Sequence, residues 1–277
     1  MADDLRKWIE NLWGDEALTA ENQKELERLI SPQVIELDHI QKIHSWLNDL
    51  RLMKQCGRII APSRTGKSVT CDIYRLLNRP QKRLGRRDII PVLYTQVPGD
   101  CQSGELLSLL LEELGYDETS GNLSQLRRRL QRLLKESKVE MIIIDEANFL
   151  NLKTLSEIAR IHDICRISMV LTGTDELDNL IKKREYIHRR FVECYRLKAL
   201  TENQFPKVVQ IWEDDIVKLP VPSNLTKPET LRQLYEKTGG TIGLLDRVLR
   251  RAAILSLKKG NSKIDRETLD EVLVRYE

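Results

Sequence analysis

The sequence lacks the features that mark membrane, exported and strongly charged proteins. No run of about 18 uncharged apolar residues occurs, and the N-terminus has no basic segment followed by an apolar one. We therefore expect a cytoplasmic protein without a membrane partner. The 45 Lys and Arg residues nearly balance the 42 Asp and Glu residues, and the net charge of +3 excludes a histone-like polycation.

Paired cysteines and aromatic residues are also scarce. The five cysteines are widely spaced, with no C-x-x-C pair and no nearby histidine at zinc-ligand spacing, which favours reduced thiols over disulfides or bound zinc. Aromatic residues form 5% of the chain, whereas apolar residues form 41% and are dominated by Leu and Ile. This composition favours helices and aliphatic strands over a β-sandwich or barrel, so we expect an α/β protein.

Five short β-type runs alternate with helical patterns in the middle of the chain. They are Gly57–Ile60, Ile89–Thr95, Glu140–Asp145, Ser168–Gly173 and Glu193–Leu197. Several of these runs are continuously apolar, as expected of strands that helices cover on both faces. The alternation predicts a parallel, doubly wound sheet.

Helical patterns precede and follow these strands. An amphipathic stripe over residues 4–13 predicts a docking helix, and further helices are expected around 20–30 and 37–50. After Leu200 only helical patterns occur, and the first opens with the capping box Thr201-Glu202-Asn203-Gln204. The domain prediction is a helical extension over 1–33, an α/β domain over 34–199 and a helical subdomain over 200–277.

The most informative segment directly follows the first strand. Residues 61–68 read Ala-Pro-Ser-Arg-Thr-Gly-Lys-Ser and match G-x-x-x-x-G-K-[ST], except that Ala61 replaces the first glycine. Backbone N–H groups in such a loop point at a phosphate, and the next helix presents its positive end there. Lys67 is expected to reach the β and γ phosphates, and the Ser68 hydroxyl is expected to bind Mg²⁺. The predicted phosphate cradle is Ser63, Arg64, Thr65, Gly66, Lys67 and Ser68.

Two adjacent carboxylates end the strand that closes with Ile144-Asp145-Glu146. The carboxyl ends of the strands are where open α/β sheets bind ligands. Asp145 is therefore expected to hold the Mg²⁺ ion, and Glu146 to polarise the attacking water. The alternative is an acidic N-cap for the following helix.

Two further positions are candidates for the same chemistry. A hydroxyl at the tip of the Ser168–Gly173 strand could orient the water or the γ-phosphate, with Thr174 as first choice and Thr172 as reserve; an N-cap role for Thr174 fits equally. Arg189 or Arg190 could enter a neighbouring subunit's nucleotide site and neutralise transition-state charge. A basic surface turn is the alternative for this arginine pair.

These motifs, in this order, resemble those of AAA+ ATPases, and within them the TnsC/TniB transposition regulators, which are similar in role to MuB. The resemblance covers nearly the whole chain. It is carried by His44–Leu47, Ser63–Lys67, Val139–Ala147, Leu171–Leu177 and Lys218–Leu225. The last of these runs has no catalytic residue type, so it matches the family rather than ATPases in general. One departure is Gly243, which stands where many AAA+ proteins have an arginine.

The resemblance implies an AAA+ fold, with a five-stranded parallel αβα sheet and a C-terminal helical lid, and it implies ATP and Mg²⁺ as cofactors. It also implies a protein that assembles into rings or helical filaments on double-stranded DNA and disassembles when ATP is hydrolysed. Its implied partners are a TnsB-like transposase and a TniQ-like target-selection protein. Short members of the family resemble those of CRISPR-associated transposons.

The DNA contacts are predicted on a basic helix. Relatives use the loop after the second strand, but that loop has no cation here, whereas Leu126–Lys135 is rich in arginine. The candidates are Arg127, Arg128 and Arg129, with Asn122 as a neutral backbone contact. A solvated helix face is the alternative for each arginine. A second basic cluster spans residues 79–87.

Two other functions remain open at this point. A helicase loader or initiator of the AAA+ class would share the nucleotide site but deliver a helicase. A nucleotide-gated adaptor would bind ATP in order to polymerise and would hardly hydrolyse it. The Asp145-Glu146 pair argues against the adaptor, because the second carboxylate has little use without hydrolysis.

Overall fold

The alternating pattern folds as a parallel sheet. The computed structural model describes residues 7, 8, 11–13, 20–31, 33, 35 and 37–276. Its strands are β1 (Gly57–Ile60), β2 (Val92–Gln96), β3 (Met141–Asp145), β4 (Ser168–Gly173) and β5 (Glu193–Arg196). Their order is β2-β3-β4-β1-β5, all neighbours are parallel, and β2 and β5 are the edges. The predicted five-stranded parallel sheet is confirmed.

Helices connect the strands and continue after them. Those up to β5 are α1 (Ala20–Ile30), α2 (Asp38–Met53), α3 (Lys67–Leu77), α4 (Ser103–Glu113), α5 (Leu123–Glu136), α6 (Leu152–Cys165), α7 (Asp175–Lys182) and α8 (Glu185–Arg190). Those after β5 are α9 (Phe205–Ile211), a π-helix (Trp212–Val217), α10 (Pro228–Thr238), α11 (Ile242–Lys258) and α12 (Arg266–Leu273).

The sheet is covered on both faces because its strands are apolar on both. Successive side chains of a strand point to opposite faces. Ile142 and Ile144 of β3 pack into a core with α4, α5 and α6. Met141 and Ile143 pack into the second core with α2 and α3. Two helical layers therefore enclose the sheet, and its carboxyl edge is left to carry polar side chains.

Two predicted elements begin at least three residues later in the structure. The second strand begins at Val92 rather than at Ile89, because Pro91 has no N–H to donate to a ladder and only an isolated bridge joins Ile89 to Gln81. The helix expected at Thr201 begins at Phe205 instead. Its capping box survives only as a turn in which the Thr201 N–H donates to Gln204 Oε1 over 3.1 Å.

The chain divides into two compact units. One is Glu36–Lys198, and the other joins the described residues up to Ile35 with those from Ala199 onward. Within this second unit, the guanidinium of Arg28 on α1 donates to the carbonyls of Ile216 and Val217, over 2.7 and 2.8 Å. These two bonds satisfy carbonyls at the carboxyl end of the π-helix, which have no partner in the helix itself.

Some predictions fall partly outside the described residues. Of the docking helix over 4–13, residues 7, 8 and 11–13 are described, and these are helical. The three-part domain division stays a prediction. No helix among the described residues is both long and apolar enough to span a bilayer.

Candidate functional site

The loop between β1 and α3 has the backbone that phosphate binding needs. Gly66 precedes α3 with a φ of 90°, in the left-handed region where a side chain is disfavoured. Arg64 has a φ of 65°. The Thr65 hydroxyl donates to the Pro62 carbonyl over 2.8 Å and closes the turn. The loop therefore ends on the positive end of α3, where N–H groups without an intrahelical partner are exposed to an anion.

Alanine at the first position of the loop is explained by its backbone. Ala61 does not have a positive φ, so nothing in its conformation requires glycine. Its N–H donates to the carbonyl of Gly173 over 3.0 Å, which extends the pairing of β1 with β4 by one residue. The departure from the glycine-rich pattern therefore leaves the loop intact.

Asp145 is fully buried at the end of β3, and three donors hold its carboxylate. The Tyr94 hydroxyl donates to Oδ2 over 2.8 Å, and the Glu146 N–H donates to Oδ1 over 2.8 Å. The Thr172 hydroxyl also donates to Oδ1. Burial and the neighbouring Asp145 charge raise the pKa of Tyr94, so its hydroxyl remains a donor at neutral pH. Sequence reasoning missed Tyr94, which reaches Asp145 because β2 pairs with β3.

Glu146, which follows β3, and Lys67, the first residue of α3, meet at the carboxyl edge of the sheet. The Lys67 ammonium lies 3.3 Å from Glu146 Oε1, and the Lys67 side chain is 5% exposed. Glu146 has a φ of 53° and makes no side-chain capping bond, while Asn151 caps the following helix α6. Glu146 occupies the N-cap position of the short 3₁₀ helix Ala147–Phe149, but its carboxylate makes no capping bond there. Its strained backbone instead directs the carboxylate toward the loop lysine.

Two buried polar atoms without hydrogen-bond partners among the described residues lie at the tip of β4. Thr174 occupies the N-cap position of α7, but its side chain makes no capping bond. Its buried Oγ1 and the buried Oδ1 of Asn148 have no hydrogen-bond partner among the described residues. Asn148 lies against the end of β4, since a Cβ added to Gly173 would be 2.9 Å from its Oδ1. Buried polar groups without partners are costly, which makes these two atoms candidates for ligand contact.

Oxygen ligands suitable for magnesium lie beside the loop. The half-buried Ser68 and Tyr94 line one shallow depression with Asp72 and Glu113. Because Tyr94 also holds Asp145, the Ser68 hydroxyl and the Asp145 carboxylate face the same region. Mg²⁺ prefers such oxygens and commonly takes one or two protein ligands plus phosphates. Ser68 and Asp145 therefore fit the ion, with Lys67 and Glu146 adjacent.

The two candidate arginines on α8 differ in how they are held. Arg190 makes a bidentate ion pair with Asp163 on α6, over 3.1 and 2.6 Å. Among the described residues Arg189 pairs only with Glu185, one turn earlier on its own helix, and both side chains are 76% exposed. Exposed pairs of this kind contribute at most about 1 kcal/mol. Arg189 is therefore the arginine available to a neighbour.

A buried arginine joins the strand that leads into the loop to α7 by an ion pair and to the end of α8 by hydrogen bonds. Arg58 of β1 is 5% exposed; its Nε donates to Asp178 Oδ1 on α7 over 2.8 Å, and its Nη1 donates to the carbonyls of Phe191 and Val192. Asp178 also accepts from Lys182 and Arg196. Burial alone would raise the pKa of Asp178, but the hydrogen bonds from Lys182 and Arg58 and the nearby cations lower it to about 2.

The predicted DNA-contact residues on α5 have different roles. Asn122 is the N-cap of α5, and its side chain accepts from the Gln125 N–H in a capping box. Arg127 makes a bidentate pair with Glu157, over 2.5 and 2.8 Å, and Glu157 is 7% exposed. Because a buried carboxylate needs such a partner, Arg127 is committed to the packing of α5 on α6.

The exposed stripe of α5 carries cations that sequence reasoning only partly selected. One shallow depression is lined by Gln125, Arg128, Arg129 and Arg132, which follow the three- and four-residue spacing of one helix face. Arg128 makes no side-chain hydrogen bond or ion pair with the described residues, whereas Arg129 donates to the carbonyls of Glu118 and Ser120. In the 79–87 cluster, Arg83 donates to the carbonyls of Arg87 and Glu136, and Arg87 donates to the carbonyl of Leu114.

Comparisons with solved structures identify the fold. Cdc6p from Pyrobaculum aerophilum is similar over 89% of this chain and 71% of that one, with a TM-score of 0.65 and 18% identity. The Aeropyrum pernix ORC1 protein, solved in complex with DNA, is similar over 90% and 69%, with a TM-score of 0.66 and 14% identity. The Thermotoga maritima RuvB branch migration motor is similar over 87% and 70%, with a TM-score of 0.54 and 12% identity. No curated protein matches the sequence.

The fold and the arrangement of the site define an AAA+ ATPase. The loop lysine, the buried aspartate and the adjacent glutamate meet at the carboxyl edge of the parallel sheet, as ATP hydrolysis requires. The family model of the bacterial TniB protein matches residues 25–199. The chain belongs to this family, and the predicted resemblance to TnsC/TniB is confirmed.

Proposed function

We propose that this ATPase regulates transposition by assembling on duplex DNA when it binds ATP and disassembling when it hydrolyses ATP. The observation that carries the proposal is the 3.3 Å approach of the Lys67 ammonium to the Glu146 carboxylate. A site that only binds ATP needs the lysine, whereas a second carboxylate beside the lysine serves hydrolysis.

In this proposal the residues divide the work between binding and hydrolysis. The backbone of the Ser63–Ser68 loop cradles the phosphates, and Lys67 neutralises charge on the β and γ phosphates. Glu146 orients and polarises the attacking water, because its carboxylate lies beside the lysine that holds the γ-phosphate. Thr174 and Asn148 offer their unpartnered polar atoms to the water or the γ-phosphate.

Magnesium would be held by Ser68 and Asp145. The ion supplies positive charge that stabilises the β and γ phosphate oxygens. Tyr94 and Thr172 position Asp145 for this role by donating to its two carboxylate oxygens. Because both donors come from strands adjacent to β3, the carboxylate is fixed by the sheet itself.

Assembly would place Arg189 of one copy at the nucleotide site of the next. The arginine projects from α8 and is free of any strong partner. Head-to-tail contacts of this kind close into rings or continue as helical filaments, depending on the rotation between copies. A trans arginine makes hydrolysis depend on the neighbour, so an assembled copy would turn over faster than an isolated one.

DNA would lie along the exposed stripe of α5. Arg128, Arg129 and Arg132 would contact backbone phosphates, while Arg127 and Asn122 support the helix. The structurally similar ORC1 protein was solved in complex with DNA, which supports this function for the fold. The family further suggests a transposase and a TniQ-like selector as partners, in the manner of CRISPR-associated transposons.

Two substitutions test the proposed cycle. Lys67→Ala should weaken ATP binding roughly 10- to 100-fold, because it removes a charge-assisted contact, and it should abolish assembly on DNA. Glu146→Gln should keep ATP binding but lower kcat about 10²- to 10⁴-fold, so assemblies should persist. The measurements are nucleotide binding, phosphate release and sedimentation with duplex DNA. Disassembly of the Glu146→Gln protein at the wild-type rate would overturn the timing role of hydrolysis.

The proposed DNA surface is tested by comparing substitutions of exposed arginines on α5 with a substitution of Arg127, which has a structural role. Arg128→Ala combined with Arg132→Ala should reduce the slope of log affinity against log salt by about 0.9 for each phosphate that is no longer bound. The control is Arg86→Ala, an exposed cation in the 79–87 cluster. Arg127→Ala should instead destabilise the fold, because it leaves Glu157 buried without its partner. An unchanged salt slope in the double variant would remove α5 from the DNA surface.

A further inference from the structure

A groove of about 1150 Å³ lies at the end of the sheet opposite the phosphate loop. Its walls are the last turns of α2, α5 and α6 and the residues that follow them. Among its lining residues, Glu140 directly precedes β3 and Ile167 directly precedes β4. The groove therefore lies at the amino ends of these strands, away from the nucleotide site, and we call it the basal groove.

The basal groove is strongly basic. Lys54, Lys135, Lys138 and Arg166 line it, and their side chains make no hydrogen bond or ion pair with the described residues. A fifth cation, Arg51, lies 3.4 Å from Glu140. Glu140 and Asp49 are the only carboxylates that line the groove within the described part of the chain. The walls therefore carry five cations against two carboxylates, which leaves an excess of positive charge.

Three of these cations occupy backbone positions that favour glycine. Lys54, Lys138 and Arg166 have φ values of 54°, 51° and 55° and follow the ends of α2, α5 and α6. Glycine adopts this left-handed conformation more easily than any other common residue at a helix end. A cation that only complemented the helix dipole could sit anywhere in the last turn. Three long basic side chains at strained positions around one groove therefore indicate that these side chains bind a partner, rather than only stabilise the helix ends.

Apolar side chains stand exposed among these cations. Leu52 is 81% exposed and Ile164 is 51% exposed, and both line the groove. Phosphate backbones need only the cations, and apolar side chains add nothing to such a contact. A concave surface that combines exposed Leu and Ile with a rim of Lys and Arg instead complements a peptide with apolar anchors and carboxylates.

We propose that the basal groove docks an acidic amphipathic segment of a partner protein. Leu52 and Ile164 contact its apolar side chains, while Lys54, Lys138 and Arg166 pair with its carboxylates. The charge of the groove selects this occupant, because a neutral or basic segment would leave the cations unpaired on binding. The groove does not include the nucleotide site, so docking requires neither ATP nor Lys67.

The test is a peptide selection on the full-length protein without nucleotide. Displayed peptides of about 12 residues, enough for about three helical turns, should be enriched for Asp and Glu combined with Leu, Ile or Phe. The best peptide is then titrated by fluorescence anisotropy against the triple variant Lys54→Gly, Lys138→Gly, Arg166→Gly. Binding should weaken about tenfold or more, since charge pairs at an interface are removed, while the Tm stays at or above that of the wild type because glycine suits these positions.

The matched control is Lys218→Gly. Lys218 also has a positive φ, of 44°, but it follows the π-helix and does not line the groove. This variant should bind the peptide as the wild type does, and so should Lys67→Ala, which separates the groove from the proposed ATP cycle. The proposal is overturned if no acidic peptide is enriched or if the triple variant binds it equally well. A triple variant that loses duplex DNA or self-assembly, but not the peptide, would assign the groove to DNA or to a second copy.

Discussion

At the scale of single residues, the carboxylate of Asp145 shows how the site is held. Both of its oxygens accept hydrogen bonds, from Tyr94 on one side and from Thr172 and the Glu146 N–H on the other. Oδ1 accepts two of these bonds, whereas Oδ2 accepts one and keeps a second lone pair for a ligand contact. The protein donors therefore fix the orientation of Asp145 without consuming its capacity to bind the ion that ATP hydrolysis uses.

Tyr94→Phe isolates this positioning role. Loss of one hydrogen bond, about 1 kcal/mol, should raise the Mg²⁺ concentration for half-maximal ATPase activity several-fold. Nucleotide affinity without Mg²⁺ should stay unchanged, because Tyr94 is expected to act through Asp145. The measurement is ATPase activity over a magnesium titration.

Tyr116→Phe is the control for the tyrosine substitution, since the Tyr116 hydroxyl contacts only the exposed Glu118 side chain. It should leave the magnesium titration unchanged. Equal magnesium requirements for the Tyr94→Phe and wild-type proteins would show that Thr172 and the Glu146 N–H are sufficient to hold Asp145.

Site residues that belong to short sequence motifs could be predicted, whereas residues that reach the site only through the order of the strands could not. Lys67, Ser68 and Asp145 follow from short motifs that need only a strand before them. Tyr94 reaches Asp145 only because β2 is the neighbour of β3, and strand order is not written in any local spacing. The commitment of Arg127 to Glu157 was hidden for the same reason, because it depends on the packing of α5 against α6.

At the scale of elements, Arg58 links β1, which leads into the nucleotide loop, both to Asp178 on α7 and to the end of α8, the helix that carries Arg189. Arg58 lies on β1, three residues before the loop begins at Ala61, and it binds the carbonyls that follow α8. An arginine inside the apolar run of β1 was the available sequence signal. Its partner could not be inferred, because Asp178 lies on α7, far along the chain.

The Asp178 pair makes a predictable contribution to acid stability. The pKa of Asp178 is about 2 in the folded protein against an ordinary 3.8, so its stabilisation is complete above about pH 4 and is lost as the pH falls toward 2. The contribution is about 2 kcal/mol. Urea unfolding over this pH range should show it as a loss of the free energy of unfolding.

The double variant Arg58→Met, Asp178→Leu supplies the comparison for acid unfolding. It removes both charges and leaves neither one buried alone, so it should fold. As the pH falls from about 4 toward 2, the wild type should lose free energy of unfolding relative to the double variant, which has no carboxylate at position 178 to protonate. A difference that is constant with pH would show that Asp178 does not titrate in this range.

At the scale of the whole molecule, the proposed trans arginine makes each site depend on two copies of the chain. Membership of the family could be predicted from the sequence, because it depends on short motifs and on their order along the chain. The choice between Arg189 and Arg190 needed the structure, because only the contact with Asp163 separates them. Which surfaces of two copies meet is a property of the assembly rather than of one chain.

Mixing two inactive variants tests this dependence. Arg189→Ala lacks the arginine for its neighbour, and Glu146→Gln lacks the carboxylate in its own site. In an equal mixture, about one quarter of the interfaces of a head-to-tail assembly should pair an intact site with an intact arginine. ATPase activity should therefore recover to roughly that fraction of wild type, whereas activity equal to the mean of the two variants would exclude action in trans.

The position of β5 at the edge of the sheet has a consequence for how copies can join. An unpaired edge could recruit a strand from another molecule, but β5 has only four residues and begins and ends with the exposed Glu193 and Arg196. Short, charged edges resist such strand addition and the near-irreversible aggregates it produces. Polymerisation through this edge is therefore disfavoured, and the reversible assembly that we propose would benefit from that protection.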